Sequence, residues 1–324
     1  MKSIRVDRHG GPEVMQLEEV PVPQPGPGQV LVRVEAAGVN FIDIYQRSGA
    51  YRMELPFIPG MEGAGVVEAA GEGLGEFAPG DRVAWAMSAG SYAQYAVVPA
   101  RLLARVPEGV TADLAAAVML QGMTAHYLTH STFPLKPGHR ALVHAAAGGV
   151  GLLLVQVAKR LGAVVYGTVS TAEKAEAARK AGADEVILYT ETDFAATVRD
   201  LTGGEGVDVV YDGVGRDTLE GSLSCLKPRG YLVLFGQSSG AVKPLDPKVL
   251  IDRGSLFFTR PSLAHHILPR EELEWRAGDL FRWIGAGELD VRIDSIFDLA
   301  DAARAHQRLA SRLSSGKILL RVAG

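Results

Sequence analysis

LVHAAAGGVGLLLVQVAKRLGAVVYGTVSTAEKA, residues Leu142 to Ala175, reads as a strand, a tight turn of small residues, an apolar helix and a second strand that runs out at Ser170. A dinucleotide fingerprint has the form G-x-G-x-x-G between a strand and its helix. The first glycine permits the tight turn, the second lets the backbone approach a pyrophosphate, and the third lets helix and strand pack closely. The matching positions here are Ala146, Gly148 and Gly151. Alanine is the smallest replacement for the first, and the two glycines that govern phosphate approach and packing are kept. Gly149 and Val150 then open a helix whose N–H groups and positive dipole end suit a pyrophosphate. A small-residue turn that holds nothing is the bland alternative. The setting favours the dinucleotide, because the motif follows an apolar strand and begins a long alternation of strands and helices.

The end of the second strand selects between dinucleotides. An acid about 20 residues after the glycines normally pairs with the adenosine 2′-OH of NAD, whereas Gly167-Thr168-Val169-Ser170 supplies no carboxylate. The Ser170 hydroxyl and Lys174, one turn into the next helix, could receive a 2′-phosphate instead, with the helix N-terminus adding its dipole. NADPH is therefore the expected cofactor. In the competing reading, Ser170-x-x-Glu173 is a capping box and Lys174 a solvated helix residue.

Working outward, the alternation runs from about residue 135 to 262, through AVVYGTV, EVILY, VDVVYDGV, YLVLFG and SLFFTR, with TLEGSLSCLKPRG read as a helix. Such strands predict a parallel sheet covered on both faces. Before about residue 111, short β-branched runs such as VLVRVEAAGV and YAQYAVV stand between Pro- and Gly-rich turns and predict an irregular β domain. After the alternation come a long helix (REELEWRAGDLFRWIGAGEL), a strand near Val291–Ile296, a second helix (LADAARAHQRLASRL) and a terminal strand, KILLRV. The economical reading packs this tail back onto the β domain. A chain of 324 residues exceeds what one core usually covers.

Composition excludes several classes. A net charge of −4, from 33 Lys plus Arg against 37 Asp plus Glu, gives no positive field for nucleic acid or an anionic membrane. Cys225 is the one cysteine, so an internal disulfide, a four-cysteine zinc site and a CxxC redox pair are ruled out. The N-terminus lacks the apolar core of a signal peptide, and no run of about 18 apolar residues offers a membrane span. A reducing, cytoplasmic setting is the expectation. His265-His266 is not expected to be a metal pair, because adjacent side chains diverge. His144 is read as a packed turn residue, and Arg304, Arg308 and Arg312 as a solvated helical stripe.

The motifs HAAAGGVG (His144–Gly151), GVNFIDIYQRSGAY (Gly38–Tyr51), GMEGAGVV (Gly60–Val67), GDRV (Gly80–Val83) and YDGVG (Tyr211–Gly215) together resemble the zeta-crystallin-like quinone oxidoreductases. These are the zinc-free branch of the medium-chain dehydrogenase/reductase superfamily, and the likeness runs over essentially the whole chain. It implies an α/β chain in which a Rossmann doubly wound sheet is inserted in a GroES-like, mainly-β catalytic domain: residues 1–122, an NADPH-binding unit over 123–262, and a return segment over 263–324. It also implies a cleft where nicotinamide and substrate meet, and a homodimer joined at the sheet edge, for which SLFFTR is the candidate. Zinc-containing members of the superfamily carry a cysteine, a histidine and a second cysteine where this chain has Asn40, Met61 and Leu120, none of which suits Zn²⁺.

The resemblance also nominates residues. Asn40, Tyr45 and Tyr51 form the candidate catalytic set, donating hydrogen bonds to a flat acceptor and offering it a ring face, with Asp43 as an orienting residue. Further cofactor contacts are Thr124 near the nicotinamide, Tyr189 beside the adenine, and Phe235, Gly236 and Ser238 in LFGQSSG, with Arg260 and Lys317 as weaker candidates. The implied activity is NADPH-dependent reduction of a quinone, or of a conjugated enal, enone or haloacrylate double bond. The alternative from another class is a crystallin-like protein that holds NADPH structurally or binds RNA.

Overall fold

The apolar runs that alternate with helices become one six-stranded sheet, parallel throughout. Its strands, in chain order Arg140–Val143, Val164–Val169, Glu185–Leu188, Val207–Asp212, Leu226–Leu234 and Phe257–Thr259, lie in the spatial order 3-2-1-4-5-6. The fourth strand, VDVVYD, is buried along its whole length, as a strand covered on both faces must be. Leu142, Ile187, Val210 and Leu232 from the sheet meet Val198 and Leu223 from the helices in the core. The order reverses between the first and fourth strands, and ligands of such open sheets bind beyond the strands' carboxyl ends at that switch. The helix read over TLEGSLSCLKPRG is shorter than expected: it occupies Leu219–Cys225, and the fifth strand already begins at Leu226.

The structure, a computed structural model, describes residues 1–322. It falls into two compact units, Met1–Met123 together with the residues from His266 onward, and Thr124–His265. The boundary lies within the helix Ala112–Tyr127.

In the first unit the strand Gln29–Val39 is the organising element. It pairs antiparallel with Glu62–Ala70, with Tyr95–Pro99 and with the C-terminal strand Lys317–Arg321. Ile318 faces Val39 and Leu319 faces Gly38 across the ladder, so the tail does return to the β domain. On its other side this last strand pairs in parallel with Ile293–Asp298. Being interior explains why Ile318, Leu319 and Leu320 are all buried. The expected solvated stripe needs correction at Arg308, whose guanidinium forms two 3.2 Å bonds with the largely buried Asp294. Arg304 pairs with Asp301 on the surface, and Arg312 lies beyond the helix Ala302–Ala310. Among the described residues no helix is long and apolar enough to cross a membrane.

Leu319→Ala should lower the stability of this unit by about 2–5 kcal/mol, the usual effect of deleting a buried leucine. All three tryptophans, Trp85, Trp275 and Trp283, lie in this unit. Urea unfolding followed by their fluorescence is therefore the measurement; an unchanged midpoint would count against an interior last strand.

Candidate functional site

The glycine turn differs from expectation in where its strain lies. The left-handed backbone falls at Ala145, with φ 51°, rather than at Ala146. Ala146 fits because the facing residue of the second strand is Gly167: a Cβ there would lie 2.8 Å from the Ala146 Cβ. The missing first glycine is thus accommodated by a glycine on the neighbouring strand. Gly151 has no such freedom, since a Cβ on it would lie 2.2 Å from the Ala145 carbonyl oxygen. Gly148 is the N-cap of the helix Gly149–Arg160, and its N–H donates to Ala145 O at 2.8 Å. The helix start is held hard against the first strand, as pyrophosphate binding requires.

The ends of the second and third strands gather the residues nominated for the adenosine end. Tyr189 N donates to Val169 O (3.2 Å), Thr190 Oγ1 donates to Ser170 O (3.2 Å), and the Tyr189 ring is half-exposed. Ser170 is not the cap of the next helix, Ala172–Lys180. Thr171 is, its hydroxyl accepting from Lys174 N at 3.3 Å. Thr124 is buried in the helix Ala112–Tyr127.

Beyond the fourth and fifth strands, the amides of Phe235 and Gly236 both donate to Asp212 O, at 2.9 and 3.3 Å, and Ser238 N donates to Gly213 O at 3.2 Å. Arg260 Nη2 donates to Gln237 Oε1 at 3.0 Å. The organiser of these loops is Asp212, which sequence reasoning passed over although it lies within YDGVG. Its buried carboxylate accepts from Val214 N (2.8 Å), Gly215 N (2.9 Å), Thr218 Oγ1 and Ser222 Oγ (3.1 Å). Ser222 gives its proton to Asp212 and so accepts from His144 Nε2 (2.9 Å), leaving Nδ1 to accept from Thr168 Oγ1 (2.8 Å). Burial pushes the His144 pKa down, so the ring stays neutral as this link requires. His144 is a packed link beneath the turn.

In the first unit the nominated residues divide. The Tyr45 and Tyr51 rings come together with centroids 5.1 Å apart, and Tyr51 N donates to Tyr45 O at 2.9 Å. Asn40, in contrast, is buried with its amide fully used. Nδ2 donates to Glu62 Oε2 (2.8 Å) and Gly38 O (3.3 Å); Oδ1 accepts from Lys317 Nζ (2.8 Å) and Gln121 Nε2 (3.2 Å). A carboxamide has two donor hydrogens and two lone pairs, so none remains for an acceptor molecule. Asn40 as a substrate donor is therefore corrected to Asn40 as a fixed strut. Lys317 is corrected as well: its buried ammonium is bonded to Glu62 and Asn40, which removes it from the cofactor contacts. Glu62 also accepts from Leu120 N, and neither Glu62 nor Gln121 was foreseen. Gln121 Oε1 is buried with no partner.

The Asp43 carboxylate takes two backbone amides. Oδ2 accepts from Asn40 N (2.8 Å), closing a capping box on the helix Phe41–Ser48, and Oδ1 accepts from Met61 N (3.1 Å). The Tyr92 hydroxyl lies 3.1 Å from Asp43 Oδ2 and 3.1 Å from His306 Nε2, while His306 Nδ1 lies 3.3 Å from Arg47 Nη1.

Residues 26–108 match the family model of the alcohol dehydrogenase GroES-like domain, and residues 149–282 that of the zinc-binding dehydrogenases. The chain is 46% identical to quinone oxidoreductase 1 of Escherichia coli K12, over 98% of each chain. It is 46% identical to a 2-haloacrylate reductase of Burkholderia, over 97% of each. The solved Escherichia coli quinone oxidoreductase complexed with NADPH superposes with a TM-score of 0.97 at 44% identity, covering 99% of this chain and all of that one. A mycobacterial relative, also solved with NADPH, gives a TM-score of 0.96 at 49% identity over 99% and 100% of the two chains. The chain belongs to the zinc-free quinone oxidoreductases of the medium-chain dehydrogenase/reductase superfamily.

In this quinone oxidoreductase the positions matched by motif to the zinc ligands carry Asn40, Met61 and Leu120, and Asn40 is bonded to the ammonium of Lys317, itself salt-bridged to Glu62. Among the described residues no group of three or more His, Cys, Asp and Glu side chains is arranged to hold a metal.

Burial raises the Asp43 pKa to about 7 against the lowering effect of its bonds from Asn40 and Tyr92. Burial, helped by the Arg47 charge, pushes His306 down to about 3. The two act in opposite directions on stability. Asp43 favours the folded state at low pH, and its contribution is lost as pH rises from its unfolded value near 4 through about 7. His306 favours the folded state above its unfolded value of about 6.5, and its contribution is lost as pH falls from there towards 3. Replacing His306 with glutamine removes only the second effect. His306→Gln should accordingly gain urea resistance relative to the native protein when the pH is lowered from 7.5 to about 5. An equal difference between the two proteins at both pH values would refute a buried neutral His306.

Proposed function

We propose that this protein reduces quinones by hydride transfer from NADPH without a metal. The observation that carries the reading is the Lys317–Glu62–Asn40 cluster, in which Asn40, at one of the zinc-ligand positions, is bonded to the Glu62 carboxylate and to the Lys317 ammonium. Chemistry at such a centre must use an acceptor that needs no Lewis acid. A quinone qualifies, because conjugation spreads the incoming charge over the ring.

The cofactor assignment follows from residues that fit it. The turn from Ala145 to Gly151 would hold the pyrophosphate, with Gly148 leaving room for its approach and Gly151 for the packing of helix against strand. Ser170 and Lys174 would take the 2′-phosphate, for which no competing carboxylate stands at the end of the second strand. Tyr189 would face the adenine and Thr124 the nicotinamide, with Phe235, Gly236, Ser238 and Arg260 completing the site. When bound, the reduced nicotinamide supplies the hydride. Tyr45 and Tyr51 would present ring faces and hydroxyls to the flat acceptor and stabilise charge developing on its oxygen. Asn40 and Asp43 support that arrangement from behind.

A second reading, saturation of a carbon–carbon double bond conjugated to a carbonyl or carboxylate, is favoured by the likeness to the 2-haloacrylate reductase. We also assign a cytoplasmic setting, consistent with the buried Cys225 thiol, whose pKa burial raises to about 12. A homodimer through the edge strand Phe257–Thr259, where Phe257 is half-exposed and stacked on Tyr231, completes the proposal. A monomer mass in sedimentation velocity would contradict that last element.

Stopped-flow mixing of the protein and NADPH with simple quinones should show NADPH oxidation, and product analysis should find hydroquinone. Lys174→Ala should weaken NADPH binding about tenfold or more and leave NADH binding unchanged, as loss of a charge-assisted phosphate bond requires. Failure to turn over any quinone, with saturated carbonyl products formed instead, would transfer the assignment to the second reading.

A further inference from the structure

Four buried side chains of the N-terminal unit form a line that ends on Asp43: Arg47, His306, Tyr92 and Asp43 itself. Its direction follows from chemistry. A guanidinium has donors and no acceptor, so Arg47 Nη1 must donate to His306 Nδ1, 3.3 Å away. With Nδ1 accepting, the single proton of the neutral ring sits on Nε2 and is given to the Tyr92 oxygen at 3.1 Å. The phenol proton then has one destination, Asp43 Oδ2 at 3.1 Å. Asp43 thus receives from Tyr92, from Asn40 N and from Met61 N, and all three partners are donors. That set suits the carboxylate form, and these bonds oppose the burial that raises the Asp43 pKa to about 7.

Asn40 and Met61, the residues so held, are two of the three zinc-ligand positions of the wider superfamily, and the helix that Asp43 caps carries Tyr45. The line also joins distant parts of the chain: His306 stands on the return helix Ala302–Ala310, 214 residues from Tyr92 and 259 from Arg47. The other charged groups acting on these side chains are Glu62 and Lys317 around Asp43, and Glu13 beside Arg47. We propose that Tyr92 and His306 are positioning residues for acceptor reduction, holding the Asp43 carboxylate that fixes Asn40, Met61 and the Tyr45 helix. The role in turnover rests on the function proposed above; the role in positioning does not.

The test uses the full chain with His306→Gln, His306→Leu and Tyr92→Phe. Glutamine keeps both polarities, its oxygen accepting from Arg47 and its amide donating to Tyr92, whereas leucine keeps neither. Tyr92→Phe removes a single oxygen and serves if the leucine variant does not fold. Hydrogen exchange at the amides of Asn40 and Met61 is read against amides of the strand Gln29–Val39. The leucine and phenylalanine variants should exchange about tenfold faster at Asn40 and Met61 only, and the glutamine variant within about twofold of the native rate. With a quinone as acceptor, kcat should fall about tenfold in the first two, with the KM for NADPH unchanged, and should be retained in the third. Unchanged exchange in the leucine and phenylalanine variants overturns the proposal, as does a glutamine variant as impaired as leucine. Equal acceleration in the strand overturns it too, since that marks a general packing role. If the native protein reduces no quinone, the proposed function fails while the exchange rates still decide the positioning.

Discussion

A buried ammonium paired with a buried carboxylate is the constraint around which the N-terminal unit is arranged. Lys317 and Glu62 are both removed from water, and an ion pair so placed persists only if its remaining hydrogen-bonding capacity is met. Asn40, Leu120 N and the geometry of the last strand meet it. Lys317 can reach Glu62 because Ile318 pairs with Val39, immediately before Asn40. The return of the tail and the character of the centre are therefore one structural fact. Removing either partner would leave an isolated buried charge.

The two units solve a similar problem in similar ways. In each, a buried aspartate accepts the amides of a loop or helix start, and a neutral histidine stands behind it, joined to it through a hydroxyl. In the Rossmann unit the line runs Thr168, His144, Ser222, Asp212 and holds the Gly213–Gly215 loop. In the N-terminal unit it runs Arg47, His306, Tyr92, Asp43 and holds Asn40 and Met61. Burial keeps both rings neutral, and a neutral ring with a defined tautomer can accept on one side and donate on the other.

What was legible in the chain was local. Apolar runs alternating with helices announced the parallel sheet, and HAAAGGVG announced the turn because its function depends on residues a few positions apart. The same locality left a capping box at Ser170 as a competing reading, since its spacing from Glu173 imitates the cap that Thr171 supplies, and it misled over LKPRG, where the strand starts before the proline. Asn40 was found as a motif residue, but its role was misread because its saturating partners, Glu62, Gln121 and Lys317, lie 22, 81 and 277 residues away. No periodicity reports such pairings. Glu62 and Asp212 were at least within quoted motifs; Tyr92 and His306 stand in stretches that read as ordinary β and helical sequence, and only the fold brings them together.

The central claim is that Asn40, at one zinc-ligand position of the wider superfamily, is taken up by the Glu62 carboxylate and the Lys317 ammonium, so that reduction proceeds without a metal. Its most direct measurement is the NADPH-dependent quinone reduction rate of protein dialysed against a strong chelator, with zinc content determined on the same sample. The expected result is an undiminished rate at negligible zinc content. A rate abolished by the chelator and restored by stoichiometric zinc would contradict it.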